Sequence, residues 1–160
     1  MRIRTMTAAV LAAAAVAFVP SESAQAAPPG AGIDNTDPSS TGCSASAITY
    51  WSKNLTNPAT GVVNGTMELR YSRSCETNWV RINNYVSGAT AQKTIVRLHT
   101  YAPSGGSVPY AQDITSDTVT GWSYGMQLYA PSWVCVQVGG VITLNGQVIA
   151  SNGQSLDWVC

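Results

Sequence analysis

The sequence predicts an all-β domain, a small antiparallel β sandwich or barrel-like body with two disulfides and little or no helix. Three observations predict it. From Ala47 onward, β-branched and aromatic residues alternate with polar ones, the period of a half-buried strand. Turn dipeptides punctuate the alternation at Asn64-Gly65, Gly139-Gly140 and Asn145-Gly146. Four cysteines, Cys43, Cys75, Cys135 and Cys160, form an even set in a chain that opens like an exported one, so they read as two disulfides.

The opening is a targeting segment. Arg2 and Arg4 make a basic start, Met6 to Val19 is an apolar run, and Ala24-Gln25-Ala26 is a small-x-small cleavage site. Residues 1–26 therefore read as a signal peptide cleaved near Ala26, and the remainder as a secreted chain. The run is short for a membrane span, and no later run is long enough, so no membrane insertion is expected after cleavage. Removing Arg2, Arg4 and Glu22 from 8 basic and 8 acidic residues leaves the chain near neutral. Bulk charge thus gives no reason to expect a nucleic-acid partner.

Residues 27–42 are rich in Pro, Gly, Ser and Asp and read as a flexible arm tied down at Cys43. Residues 43–160 read as one disulfide-stapled β domain. Ser44 to Lys53 fits a short helix, or a strand through Ile48-Thr49-Tyr50-Trp51. After a hairpin at Asn64-Gly65, Met67, Leu69 and Tyr71 point one way and Glu68, Arg70 and Ser72 the other. A second strand runs from about Trp79 to Val86. A third runs from about Gln92 to Tyr101, with Val96 and Leu98 on one face and Lys93, Ile95, Arg97 and His99 on the other.

At the C-terminal end, two-residue turns at Gly139-Gly140 and Asn145-Gly146 predict a three-stranded meander over 132–150. That register pairs Val138 with Val141, Ile142 with Ile149 and Leu144 with Gln147. It places Val134, Val136, Val138, Val141, Thr143, Val148 and Ala150 on a core face. The opposite face carries Trp133, Ile142, Leu144 and Ile149 and is too apolar to be left to water. The tail, with Leu156, Trp158 and Cys160, is the natural cover, which favours a Cys135–Cys160 bridge and leaves Cys43–Cys75. None of the spacings is C-x-x-C and only His99 could assist, so no metal site is expected, and no cofactor.

Glu68 to Arg81 has the form E-L-R-Y-S-x-x-C-x-x-x-W-x-R, and upstream lies Asp37-Pro38-x-x-Thr41-Gly42-Cys43. This pair of motifs resembles the domain-of-unknown-function family 2690, mostly exported proteins of high-GC Gram-positive bacteria. The resemblance implies export and a small β domain, and it implies no activity. Members often carry a further cysteine before the Asp-Pro motif. Here Ile33 or a neighbour stands in that place, and Cys135 and Cys160 are present instead.

Candidate chemistry is sparse. Glu68, Arg70 and Arg81 read as cross-strand register pairs or as an anion-binding patch, extended by Lys93, Arg97 and His99 if the third strand lies alongside. A triad on His99 would need Asp113 or Asp117 and a serine, and no G-x-S-x-G, H-E-x-x-H or P-loop is present. Enzyme activity is therefore not expected. Trp79, Trp133 and Trp158 read as core, and Trp51 and Trp122 as candidates for exposure. Trp122 and Tyr124 lie in a glycine-flanked stretch that reads as an aromatic loop, able to stack on sugars, to anchor a protein or to plug the core.

The candidate binding residues are thus Trp122, Tyr124, Arg70, Arg81, Lys93 and Arg97. The 68–81 stretch itself reads as scaffold, with the arm and the Trp122 loop as the working surfaces. The leading expectation is a secreted non-catalytic interaction or adaptor module whose partner is another secreted protein. The alternatives are a cell-wall or carbohydrate-binding module, whose partner would be a wall polymer, and a protease inhibitor using the loop from Tyr101 to Tyr110.

Overall fold

The computed structural model describes residues 30–160, so the expected signal peptide lies outside the described residues. The described chain is all β, with two 3-10 turns, Gly30–Ile33 and Cys43–Ser46. The strands are β1 (Ala47–Thr56), β2 (Val63–Ser72), β3 (Thr77–Asn84), β4 (Thr90–Arg97), β5 (Thr100–Tyr101) and β6 (Ser107–Val108). They continue with β7 (Ala111–Asp117), β8 (Gly121–Tyr124), β9 (Leu128–Tyr129), β10 (Val136–Leu144), β11 (Gln147–Ser151) and β12 (Asp157–Val159).

One antiparallel sheet runs β7-β4-β10-β11-β1-β2-β3-β8, with β12 alongside β10 and β9 alongside β3. It curls into a nearly closed barrel around Leu55, Met67, Leu69, Val80, Ile82, Ile95, Leu128, Val138 and Ile142. β7 and β8 are the ends of this order, and side chains bridge the seam between them. Lys93 donates to Ser123 Oγ (2.8 Å), Asp113 Oδ2 accepts from the Met126 N–H (2.9 Å), and Arg97 donates to the Tyr129 carbonyl.

Both disulfides, Cys43–Cys75 and Cys135–Cys160, are those the strand pattern favours. Both alternatives for residues 44–53 are partly realised: the 3-10 turn ends at Ser46 and β1 starts at Ala47. Tyr50 is the extra residue of a bulge, since Thr49 faces Arg70 and Trp51 faces Leu69. The second and third strands begin two residues earlier than the sequence implies, and the third breaks at Arg97 before the small β5–β6 hairpin.

Two of the three turn dipeptides are not turns. Asn64-Gly65 lies inside β2, and the chain reverses at 57–61, where Asn57 Oδ1 accepts from the Ala59 and Thr60 N–H groups. A Cβ on Gly65 would sit 2.6 Å from Ile142 Cδ1 and 2.8 Å from the Asn83 carbonyl, so the glycine permits close approach. Gly139-Gly140 lies inside β10 for the same reason. A Cβ on Gly140 would meet Met67 Sδ at 2.9 Å, and one on Gly139 would strike Leu156. Only Asn145-Gly146 turns, with both residues at positive φ.

Because β10 runs straight through its glycines, the meander is a hairpin in which Leu144 pairs with Gln147 as expected, while the other two pairings are corrected. Val138 pairs with Ile95 of β4, and Val141 with Gln92. Ile142 is buried opposite Ala150, a bulge precedes Thr143, and Val148 is exposed. The tail does not lie across a face. It pairs with β10 as β12, leaving Trp158 56% exposed and Trp133 exposed as well.

Residues 30–42 pack onto the barrel, where the sequence reading has a flexible arm. Ile33 is buried, Thr36 bridges to Gln127, and Asp34 takes a bidentate contact from Arg97 at 2.8 Å per bond. Arg97 also donates from Nε to the Pro109 carbonyl (2.7 Å). A fully buried guanidinium needs a carboxylate within reach, and this segment supplies it.

Candidate functional site

β2, β3 and β8 present one outward face whose residues are set by strand parity. Val80 and Ile82 point to the core, so Trp79, Arg81 and Asn83 point out. Register then aligns three rows across the strands. Thr49, Arg70 and Trp79 form the first. Ser52, Glu68, Arg81 and Tyr124 form the second. Asn54, Thr66, Asn83 and Trp122 form the third.

The polar members are linked. Arg70 donates to Thr49 Oγ1 (2.6 Å) and to the Ala47 carbonyl (2.7 Å). The Thr49 hydroxyl donates onward to Glu68 Oε2 (2.9 Å), which also accepts from Arg81 Nε (2.8 Å) and Nη2 (2.7 Å). Arg81 in turn lies over the Trp122 ring, its Cζ 4.2 Å from the centroid. Such a cation–π stack holds both groups in place. Burial lowers the proton affinity of Arg70, and the positive charge of Arg81 lowers it further, while Glu68 acts the other way.

The 36–46 segment lies beside this face. Asp37 Oδ1 accepts from the Ser39 N–H (2.7 Å), the Thr41 hydroxyl donates to the Asp37 carbonyl (3.0 Å), and Cys43 is stapled to Cys75. Between the segment and the strands lies a groove of about 200 Å³, lined by Pro38, Ser39, Ser44, Arg70, Trp79, Arg81 and Tyr124. Tyr124 reaches Ser39 Oγ at 3.4 Å across it.

Of the candidate binding residues, this surface unites Arg70, Arg81, Trp122 and Tyr124. Trp122 is 47% exposed and sits on strand β8, so it is neither on a loop nor a core plug. Lys93 and Arg97 are corrected: they share a face of β4 with Ile95, as the alternation predicts, but that face is the interior. Lys93 is 1% exposed and Arg97 0%, paired with Asp117 and Asp34 respectively. His99 is exposed and packs against Tyr101 with the rings tilted at 56° and their centroids 4.7 Å apart, away from the Glu68–Arg70–Arg81 network. Asp113 binds Thr115 and the Met126 N–H while Asp117 binds Lys93, so the acids a His99 triad would draw on are engaged elsewhere. Among the described residues, no three His, Cys, Asp or Glu side chains converge on one point where a metal could bind.

Sequence reasoning missed Thr49 and Ser44, and nothing in their local sequence marks them, whereas Ser39 lies in the arm that was read as a working surface. Trp79 carried a signal: it shares parity with Arg81 two residues on, which puts it on the outward face although the groove wall buries it to 4% exposure.

The family model described as "Protein of unknown function (DUF2690)" matches residues 31–126, more than half of the chain. No curated protein and no solved structure matches. The matched span contains both walls of the groove: the Asp37-Pro38 to Cys43 motif supplies one, and the Glu68 to Arg81 motif the other. The chain belongs to the DUF2690 family.

Proposed function

We propose that this chain is a secreted, non-catalytic interaction module that docks another secreted protein on the outward face of β2, β3 and β8. The observation that carries this reading is the Arg81–Trp122 stack, set on rigid strands beside Tyr124 and left half open. Arg, Trp and Tyr are the residues that dominate interface energetics, and side chains already held in place lose less freedom on binding. Two disulfides and the leader-like residues 1–26 support an oxidising, extracellular setting. No helix among the described residues is long and apolar enough to cross a membrane.

A wall polymer fits less well. With Lys93 and Arg97 inside the barrel, the face keeps Arg70 and Arg81 against Glu68, one uncompensated positive charge. A polyanion is held by many such charges. The guanidinium of Arg81 also occupies one face of Trp122, where a sugar ring would stack.

Affinity capture from a secreted fraction tests the reading. The tagged protein is expected to retain a partner that Trp122→Ala loses at least about tenfold, as for a binding hot spot. Trp158→Ala, an exposed tryptophan elsewhere on the barrel, should retain it. Equal retention by Trp122→Ala would refute docking on this face.

A further inference from the structure

We infer that the groove between the 36–46 segment and β3 is a carboxylate pocket, which receives one acidic side chain of the partner. The inference rests on the interaction-module reading above and adds the chemistry of recognition. Each guanidinium has five N–H donors, and Arg70 and Arg81 each spend two on this protein. The donors left over belong to the two charged residues that line the groove, and Glu68 is not among its lining residues. Ser39, Ser44 and Tyr124 add hydroxyls, while Pro38 and Trp79 form apolar walls. Low-dielectric walls strengthen a charge-assisted hydrogen bond.

Charge and size narrow the ligand. The two charged residues that line the groove, Arg70 and Arg81, are both cations, so it favours an anionic group, and a carboxylate matches a guanidinium in charge and geometry. The volume of about 200 Å³ is below that of pockets for small-molecule ligands and is suited to a single side chain.

The probe is N-acetyl-glutamate α-amide, which carries one carboxylate, followed by NMR at the Trp79 indole N–H and the arginine Nε–H signals. A lone side chain should bind weakly, with a Kd on the order of millimolar. We expect saturable shifts that N-acetyl-glutamine α-amide does not produce. Arg70→Gln should weaken binding at least about fivefold, and the exposed Arg73→Gln should leave it unchanged. Ser44→Phe fills the groove while leaving every hydrogen-bond partner of Arg70 and Arg81 in place, and should abolish binding, which keeps the test decisive if Arg70→Gln disturbs β1. Three results would each overturn the pocket: no saturation at about 100 mM probe, far above a millimolar Kd, an equal response to the glutamine amide, or tighter binding of inorganic phosphate. Failure here with partner capture still lost in Trp122→Ala would remove the pocket and keep the docking face. Probe binding with capture unchanged in Trp122→Ala would do the reverse.

Discussion

Replacing Asp34 by asparagine removes the only carboxylate, among the described residues, bonded to the guanidinium of Arg97. Arg97 is fully buried, and its Nη1 and Nη2 each donate to an Asp34 oxygen at 2.8 Å. The same carboxylate accepts from the Tyr129 N–H (2.7 Å), so it also pins β9. Breaking a buried pair from one side costs about 3–5 kcal/mol, because the other charge is left without a partner in a poorly solvating interior. Total stabilities are about 5–15 kcal/mol, so the loss is a large share. At about 4 °C per kcal/mol for a domain of this size, the melting temperature should fall by about 12–20 °C. The assay is thermal and urea unfolding at neutral pH, with Asp37→Asn as the control. Asp37 caps an exposed turn, and its loss should cost about 1 kcal/mol or less. If Asp34→Asn and Asp37→Asn unfold within 1 kcal/mol of each other, the packing of residues 30–42 onto the barrel through Asp34 does not stabilise it. The paired change Asp34→Leu with Arg97→Met should recover much of the loss, since an apolar pair replaces a buried ionic one at little cost.

Gly65→Ala should destabilise by about 1–3 kcal/mol through overpacking against Ile142 and the Asn83 carbonyl, while Gly32→Ala, with open space around it, should change stability by less than about 0.5 kcal/mol. Tyr71 and Tyr129 have raised pKa values, each from burial first and then from Glu76, to which the Tyr129 hydroxyl donates (3.0 Å). A raised folded pKa means that the native state holds its protons longer. The stability they contribute is therefore complete below about pH 10, the ordinary tyrosine value, and is lost as pH rises above it. Tyr129→Phe should make that alkaline loss shallower in a pH series of urea midpoints. Replacing Cys135 and Cys160 together by serine opens a link of sequence separation 25 and should cost about 3 kcal/mol, measured against the oxidised protein in the same titration.

Strand alternation and cysteine count made the fold class and both disulfides legible. Glycine did not carry its own meaning. Asn64-Gly65, Gly139-Gly140 and Asn145-Gly146 look alike in sequence, yet two of them serve close packing across the barrel. Only the residues opposite, Ile142, Leu156 and Met67, distinguish those from the true turn, and they are far away in the chain. The same limit misplaced Lys93 and Arg97. Alternation put them on one face correctly, but a charged face was read as outward because their partners, Asp117 and Asp34, lie 24 and 63 residues away. The candidate site was legible in parts. The 68–81 motif, the 37–43 motif and Trp122 were each conspicuous, and the first was read as scaffold. The register of β2, β3 and β8 and the Cys43–Cys75 staple bring all three to one surface.

Hydroxyl-radical footprinting of the protein with and without its captured partner measures side-chain exposure where the account makes its claim. Trp122 and Tyr124 are open in the free protein, as are Trp158 at another place on the barrel and Tyr101 (74% exposed) on the β5–β6 hairpin. The account predicts that the partner suppresses oxidation of Trp122 and Tyr124 and leaves Trp158 and Tyr101 unchanged. Protection of Tyr101 and Tyr110 with Trp122 still fully oxidised would contradict it and place the working surface on the hairpin.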